Sequence, residues 1–229
     1  MQILALETST ENGSCALWRD GELIVRNCPG GRSHSETLLP LVREVLAEAG
    51  IAVAQLDAIA FGVGPGAFTG LRVACGAAQG LAVAAGVPLL PVTSLQAMAA
   101  ASGGQHVMAL LDARMGEVYV GNYQMQDGSP CLQGDIRVQP PADIIFPTST
   151  GWLACGNALS AYPELSARAN EAGLLQLPYI QPGAAWVARL AAPRVVAGDV
   201  IDPALAAPLY IRDKVAKTVA ERLLEGGRA

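Results

Sequence analysis

Apolar positions fall in short runs divided by polar turns, the pattern of strands and helices alternating in one α/β chain. Residues 3–7 are an apolar run that turns polar at Thr8-Ser9-Thr10-Glu11-Asn12-Gly13. Residues 14–19 and 22–27 read as strands joined by Asp20-Gly21, a two-residue hairpin signal. Ser33 with Glu36 three residues on reads as a capping box, so a helix is expected over His34–Ala49, closed by Gly50 and bent early by Pro40. A strand over 56–63, a helix over 70–85, a strand over 88–92 and a helix over 94–101 follow. Ser102-Gly103-Gly104 then reads as a linker.

The second half opens in the same way. Residues 107–112 form an apolar strand ending in an acid, and 117–125, a turn at Asp127-Gly128 and a strand over 131–138 follow. Ala5-Leu6-Glu7 lines up with Leu110-Leu111-Asp112, and Asp20-Gly21 with Asp127-Gly128, which suggests an internal duplication. Two subdomains are expected, 1–103 and 104–229. The second continues with a strand over 152–155, a Pro-interrupted helix over 159–172 and a helix over 183–192. It ends in a charged helix over 213–225 that could cross back to the first subdomain.

Two helices carry unusual surfaces. In 70–85, Arg72 and Gln79 share one narrow strip at 100° per residue, and every other direction is Leu, Val, Cys, Ala or Gly. In 34–49, Leu38, Leu39, Leu41, Val42, Val45, Leu46 and Ala49 span an arc of roughly 160°, wider than the ~100° of a one-sided core helix. The excess is covered either by the second half or by another protein. On the second reading the candidate interface is Leu38, Leu41, Val42, Val45, Arg72, Val73, Ala74, Ala77, Ala78 and Leu81.

Composition narrows the classes. Of 229 residues 52% are apolar but only 5% aromatic, so the core is built from Ala, Leu and Val. Net charge is −5 and the only lysines are Lys214 and Lys217, which argues against direct nucleic-acid binding. The five cysteines are scattered, with no metal or disulfide spacing. The N-terminus lacks a signal pattern, and the apolar run over 73–85 is short of the ~20 residues of a membrane span, so a cytoplasmic protein without a membrane segment is expected.

Chemistry-bearing motifs are few. Glu7-Thr8-Ser9-Thr10 could face a metal-bound phosphate, or be a polar strand end. Gly62-Val63-Gly64-Pro65-Gly66-Ala67-Phe68-Thr69-Gly70 leads from a strand into a helix, where amides can meet an anion, yet no Lys follows as in a Walker loop. It could equally be a tight turn with Thr69 as N-cap. Glu7, Thr8, Ser9, Gly64, Gly66 and Thr69 are the candidate nucleotide-binding set, vestigial or active. His34 and His106 are far apart and neither has a partner at metal spacing, so no metal, cofactor or catalytic residue is assigned.

Taken together, residues 3–10, His34-Ser35-Glu36 with Leu38-Leu39-Pro40, residues 64–72, and Asp112-Ala113-Arg114 with Glu117-Val118-Tyr119 resemble the TsaB (YeaZ) family. The resemblance is strong over the first hundred residues and loose beyond. It implies the actin-like ATPase (ASKHA, ribonuclease H-like) fold, an α/β architecture of two duplicated subdomains, each a mixed sheet with flanking helices. It further implies a non-catalytic subunit for threonylcarbamoylation of the tRNA adenosine beside the anticodon. Such a subunit binds the transferase TsaD and the small ATPase TsaE, and pairs with itself when alone. The paralogue's H-x-x-x-H metal helix falls on Ser94-Leu95-Gln96-Ala97-Met98, where neither histidine remains. The alternative is an ATP-binding or ATP-hydrolysing enzyme using Glu7 and the 64–70 loop.

Overall fold

The computed structural model describes residues 1–212. The first half comprises β1 (Gln2–Glu7), β2 (Ser14–Arg19), β3 (Glu22–Asn27), α1 (His34–Ala49), β4 (Ala58–Gly64), α2 (Phe68–Ala85), β5 (Leu89–Thr93) and α3 (Ser94–Ser102). Its sheet has the order β3-β2-β1-β4-β5, with β1, β2 and β3 antiparallel and β1, β4 and β5 parallel. The second half comprises β6 (His106–Arg114), β7 (Glu117–Gln126), β8 (Ser129–Leu132), β9 (Arg137–Gln139), β10 (Trp152–Cys155), α4 (Ala158–Ala161), α5 (Pro163–Glu171), β11 (Leu175–Leu177) and α6 (Ala184–Val196). Its sheet runs β11-β10-β6-β7-β8, with β9 also on β7.

With β8 and β9, both on β7, counted together as the third strand of the second half, both sheets read 3-2-1-4-5, the actin-like, ribonuclease H-like arrangement repeated. The hairpins confirm the match. Asp20 and Asp127 adopt φ of 49° and 48°, each followed by a Gly at positive φ, the turn that fits the strand twist. The duplication is incomplete. Where the first half places α1 between β3 and β4, the second has only a single turn at Pro141–Asp143 between β9 and β10.

Strand alternation divides the core. Leu4 and Leu6 of β1 face α1 and α2, joined by Leu17, Ile59 and Phe61. Ile3 and Ala5 face α6, where Ala16 and Ala60 meet Ala184, Val187, Ala188 and Ala191. Alanine on both sides lets this helix lie close to its sheet. The strands of the two sheets part at the 102–104 linker, but the chain after residue 183 returns to the first sheet. The Ala184 amide donates to Ser14 Oγ at 3.0 Å, Ile201 and Leu89 exchange backbone bonds, and the Leu209 amide donates to Val63 O at 2.7 Å. The expected helix over 213–225 lies outside the described residues.

Several local expectations need correction. Ser33 precedes α1 as expected and Gly50 closes it at φ 67°, but Ser33 Oγ makes no cap bond; it sits 2.7 Å from Ser35 Oγ. α2 begins at Phe68 with Ala67 at its N-cap, so Thr69 does not cap it. The 131–138 strand is two strands, because β8 and β9 pair with different parts of β7. The 159–172 helix breaks at Pro163, which opens α5 instead.

Candidate functional site

The end of β1 meets the 64–70 loop, as the candidate nucleotide set requires, but the two fill each other. Glu7, Thr8 and Ser9 are all at most 2% exposed. Thr8 Oγ1 donates to Gly70 O at 2.7 Å, and the Ala67 amide donates to Ser9 O at 2.7 Å. A Cβ on Gly70 would run into the Thr8 carbonyl, and one on Gly66 into Ser9. A Cβ on Gly62 would strike the Glu7 carboxylate, and one on Gly64 would lie 3.0 Å from Leu209 O. Gly64, Gly66 and Gly70 therefore admit the chain's own backbone, and Gly62 the Glu7 carboxylate. Thr69 is exposed on the first turn of α2.

Glu7 accepts from the Ser9 amide at 2.6 Å and from Ser94 Oγ at 3.0 Å. Burial raises its carboxyl above the ordinary range, and the hydrogen bonds only partly oppose this. Ser94 and Met98, at the positions of the paralogue's two histidines, are fully buried in α3. Among the described residues, no three of His, Cys, Asp and Glu group as metal ligands.

On the second half's side, Asp112 accepts from Tyr162 at 2.9 Å and pairs with Arg114 at 3.4 Å. Asn157 Oδ1 accepts from the Asp112 amide at 2.9 Å. The recess between Ser9, Gly66, Asp112 and Asn157 holds ≈ 70 Å³, and the neighbouring one beneath Tyr210 ≈ 210 Å³. Ligand clefts of nucleotide size start at about 300 Å³. His34 does not touch this cleft; its Nε2 lies 2.7 Å from Thr10 O and orders the turn.

The helix exteriors differ from the sequence expectation. Leu38, Val42, Val45, Ala74 and Ala78 are at most 3% exposed and face the chain's own core. They have no surface left to offer, because α1 and α2 cover one sheet face together. On α1 the apolar residues that remain outside are Leu39, half exposed, and the half-buried Leu41. Arg72 is held by its own chain: its guanidinium lies 4.0 Å over the Phe68 ring and Nε donates to Tyr210 at 3.1 Å. Gln79 donates to Pro203 O at 2.8 Å. Val73, Ala77 and Leu81 are half-buried.

What the sequence reading missed is the outermost row of α2. Gly76 and Gly80 are exposed, and a Cβ built on either meets no described atom within 4 Å. Val83 beside them is 70% exposed. With Ile201, Asp202 and Pro203 they line an open groove of ≈ 800 Å³. The signal was there in the i, i+4 spacing of two mid-helix glycines. α2 is also the one helix among the described residues long and apolar enough to cross a membrane, yet it packs along β4 through Leu71, Cys75 and Ala82.

Known proteins fit this arrangement. Residues 29–139 match the family model described as TsaD, tRNA N6-adenosine threonylcarbamoyltransferase. The chain is similar to the tRNA threonylcarbamoyladenosine biosynthesis protein TsaB of Escherichia coli K12, at 34% identity over 94% of this chain and 96% of that one. The TsaB of Haemophilus influenzae is also 34% identical, over 94% and 95%. A solved structure titled "YeaZ from Pseudomonas aeruginosa" superposes with a TM-score of 0.80 at 36% identity, covering 91% of this chain and 99% of that one.

Proposed function

The chain belongs to the TsaB (YeaZ) family of tRNA threonylcarbamoyladenosine biosynthesis proteins, and from that premise we propose that it acts as a non-catalytic docking subunit. Its partner is the transferase TsaD, with the ATPase TsaE joining the pair, and the docking surface is the outer row of α2 with Leu39 and Leu41 of α1. Without TsaD, a second copy takes its place through the same row, giving a two-fold contact.

One observation carries this reading: Gly76 and Gly80 stand on the open side of α2. A glycine inside a helix costs about 1 kcal/mol relative to alanine, and no described neighbour requires either to be small. A second helix packed against this row would require it, since bare backbone allows close approach. Val83, Leu39 and Leu41 supply the apolar surface around the crossing. Against the ATPase alternative speaks the packing of its residues: Gly66 and Gly70 lie against Ser9 and Thr8, and the Glu7 carboxylate accepts from Ser9 and Ser94.

Reconstituted tRNA modification with TsaD, TsaE and this chain tests the role. Val83→Glu is expected to abolish co-purification with TsaD, the modification and self-pairing, while the isolated variant keeps the parent's circular dichroism spectrum as a folded monomer. Full modification with Val83→Glu would remove the α2 row from the interface.

A further inference from the structure

The second sheet carries a site far from α2 and from the cleft. On the face of β6, β7 and β10 that packs against α4 and α5, Met108, Leu110, Val118, Val120 and Ala154 are covered by Ile144, Leu159 and Leu165. The cover stops short of one end. β6 runs from His106 to Arg114, so at about 3.3 Å per residue His106 lies roughly 25 Å from the cleft. There His106 pairs with Trp152 and Gln124 across the sheet, and Met108 with Asn122. Partners in register share a face, so His106, Trp152, Gln124 and Asn122 lie on the face of Met108, past the edge of its cover. The missing counterpart of α1 leaves this end open.

The lining is not that of an idle surface. The rings of His106 and Trp152 lie 5.4 Å apart, tilted by 34°, and Phe146 stands across from them. Asn122 Oδ1 is buried without a hydrogen-bond partner among the described residues. Whichever way that amide is turned, one polar end is left to be satisfied, which costs stability unless something pairs with it. Arg137, on β9 beside Val120, makes no ion pair among the described residues. The hollow they enclose is ≈ 550 Å³, within the range of small-molecule sites.

We propose that this hollow binds an adenine nucleotide. A flat base stacks on the His106–Trp152 pair. An Asn or Gln side chain can pair with both N6 and N7 of adenine, a contact open to Gln124 in the lining. The phosphate goes to Arg137, whose guanidinium suits it. The source is either a free mononucleotide or an unpaired adenosine in RNA. A net charge of −5 disfavours a long phosphate backbone, so the free nucleotide is the expected one.

Titration calorimetry of the full chain with AMP, adenosine, CMP, ribose 5-phosphate and the hexamer r(A)6 tests the assignment. AMP is expected to saturate one site and to bind at least about tenfold tighter than ribose 5-phosphate, because stacking supplies much of the affinity. Adenosine and CMP bind more weakly than AMP. Trp152→Ala weakens AMP about tenfold, and Arg137→Gln removes the preference for AMP over adenosine. Should Trp152→Ala fail to fold, Gln124→Leu takes its place, with loss of the AMP-over-CMP preference as its readout. Saturable binding of r(A)6 without AMP binding keeps the site and makes RNA the source. No heat from AMP and r(A)6 at millimolar concentration, or AMP affinity unchanged in these variants, overturns the proposal.

Discussion

Desolvation holds the Glu7 carboxyl above its ordinary range, and this sets how stability depends on pH. In the unfolded chain Glu7 titrates near the ordinary carboxyl value of 4.5, and in the folded chain it titrates higher. The folded state therefore keeps its proton longer as pH rises, and stability falls from about the unfolded value up through the folded one. Glu7→Gln is nearly isosteric and retains an acceptor for the Ser9 amide. It should flatten the decline and raise stability at pH 8 by on the order of 1 kcal/mol, measured by urea unfolding at pH 4.5 and pH 8. An unchanged pH profile would place the titrating group elsewhere. The glycines nearby obey a second residue-scale rule. Gly70→Ala puts a methyl into the Thr8 carbonyl and should cost about 2–4 kcal/mol in the same assay. Burial pushes the Cys15 and Cys155 thiols up to about 12, so neither should react with iodoacetamide at pH 8 until the chain unfolds. Rapid native labelling of either would contradict their burial.

At the scale of elements, α1 was legible at both ends because its bounds depend on local residues: a polar N-terminal turn and Gly50 in the left-handed region. Its cap bond was not legible, since Ser33 Oγ has Ser35 as a competing neighbour. The strand over 131–138 was misread because alternation alone does not say which part of β7 each segment pairs with. The surplus apolar arc of α1 was real, but the sheet and α2 absorb most of it, a tertiary fact that periodicity does not contain. In α2 the composition was visible and its direction was not. Ala74 and Ala78 turn inward while Gly76 and Gly80 turn outward, and helical phase without a known sheet leaves the two faces interchangeable. The loop and the helix thus hold two kinds of glycine. Gly66 and Gly70 serve the fold, whereas Gly76 and Gly80 oppose it. Gly76→Ala should raise the melting temperature of the chain at dilutions where it is monomeric, by about 0.5–1 kcal/mol in stability, where Gly66→Ala should lower it. Equal effects from both would end this distinction.

The whole molecule is a duplicated fold whose halves have parted in use. The first half is covered on both sheet faces, with α6 lent back from the second half, and the end of β1 packs through Thr8 and Ser9 against the glycine loop. The second half has lost the helix between its third and fourth strands, and one end of its sheet stands open. The repeat itself was readable from Leu110-Leu111-Asp112 and Asp127-Gly128, whereas the order of the strands came only with the pairing. The return of residues 184–209 to the first sheet was not readable, because nothing in a helix of alanines names the sheet it covers. The docking role rests on the outward row of α2, and substitutions there should act oppositely on fold and assembly. The most direct test is the affinity of the double variant Gly76→Ala, Gly80→Ala for TsaD by calorimetry, alongside its melting temperature. A monomer more stable than the parent monomer that binds TsaD at least about tenfold more weakly is the expected result, from overfilling a close helix contact. A variant that is equally stable or more so and binds TsaD as tightly as the parent would contradict it.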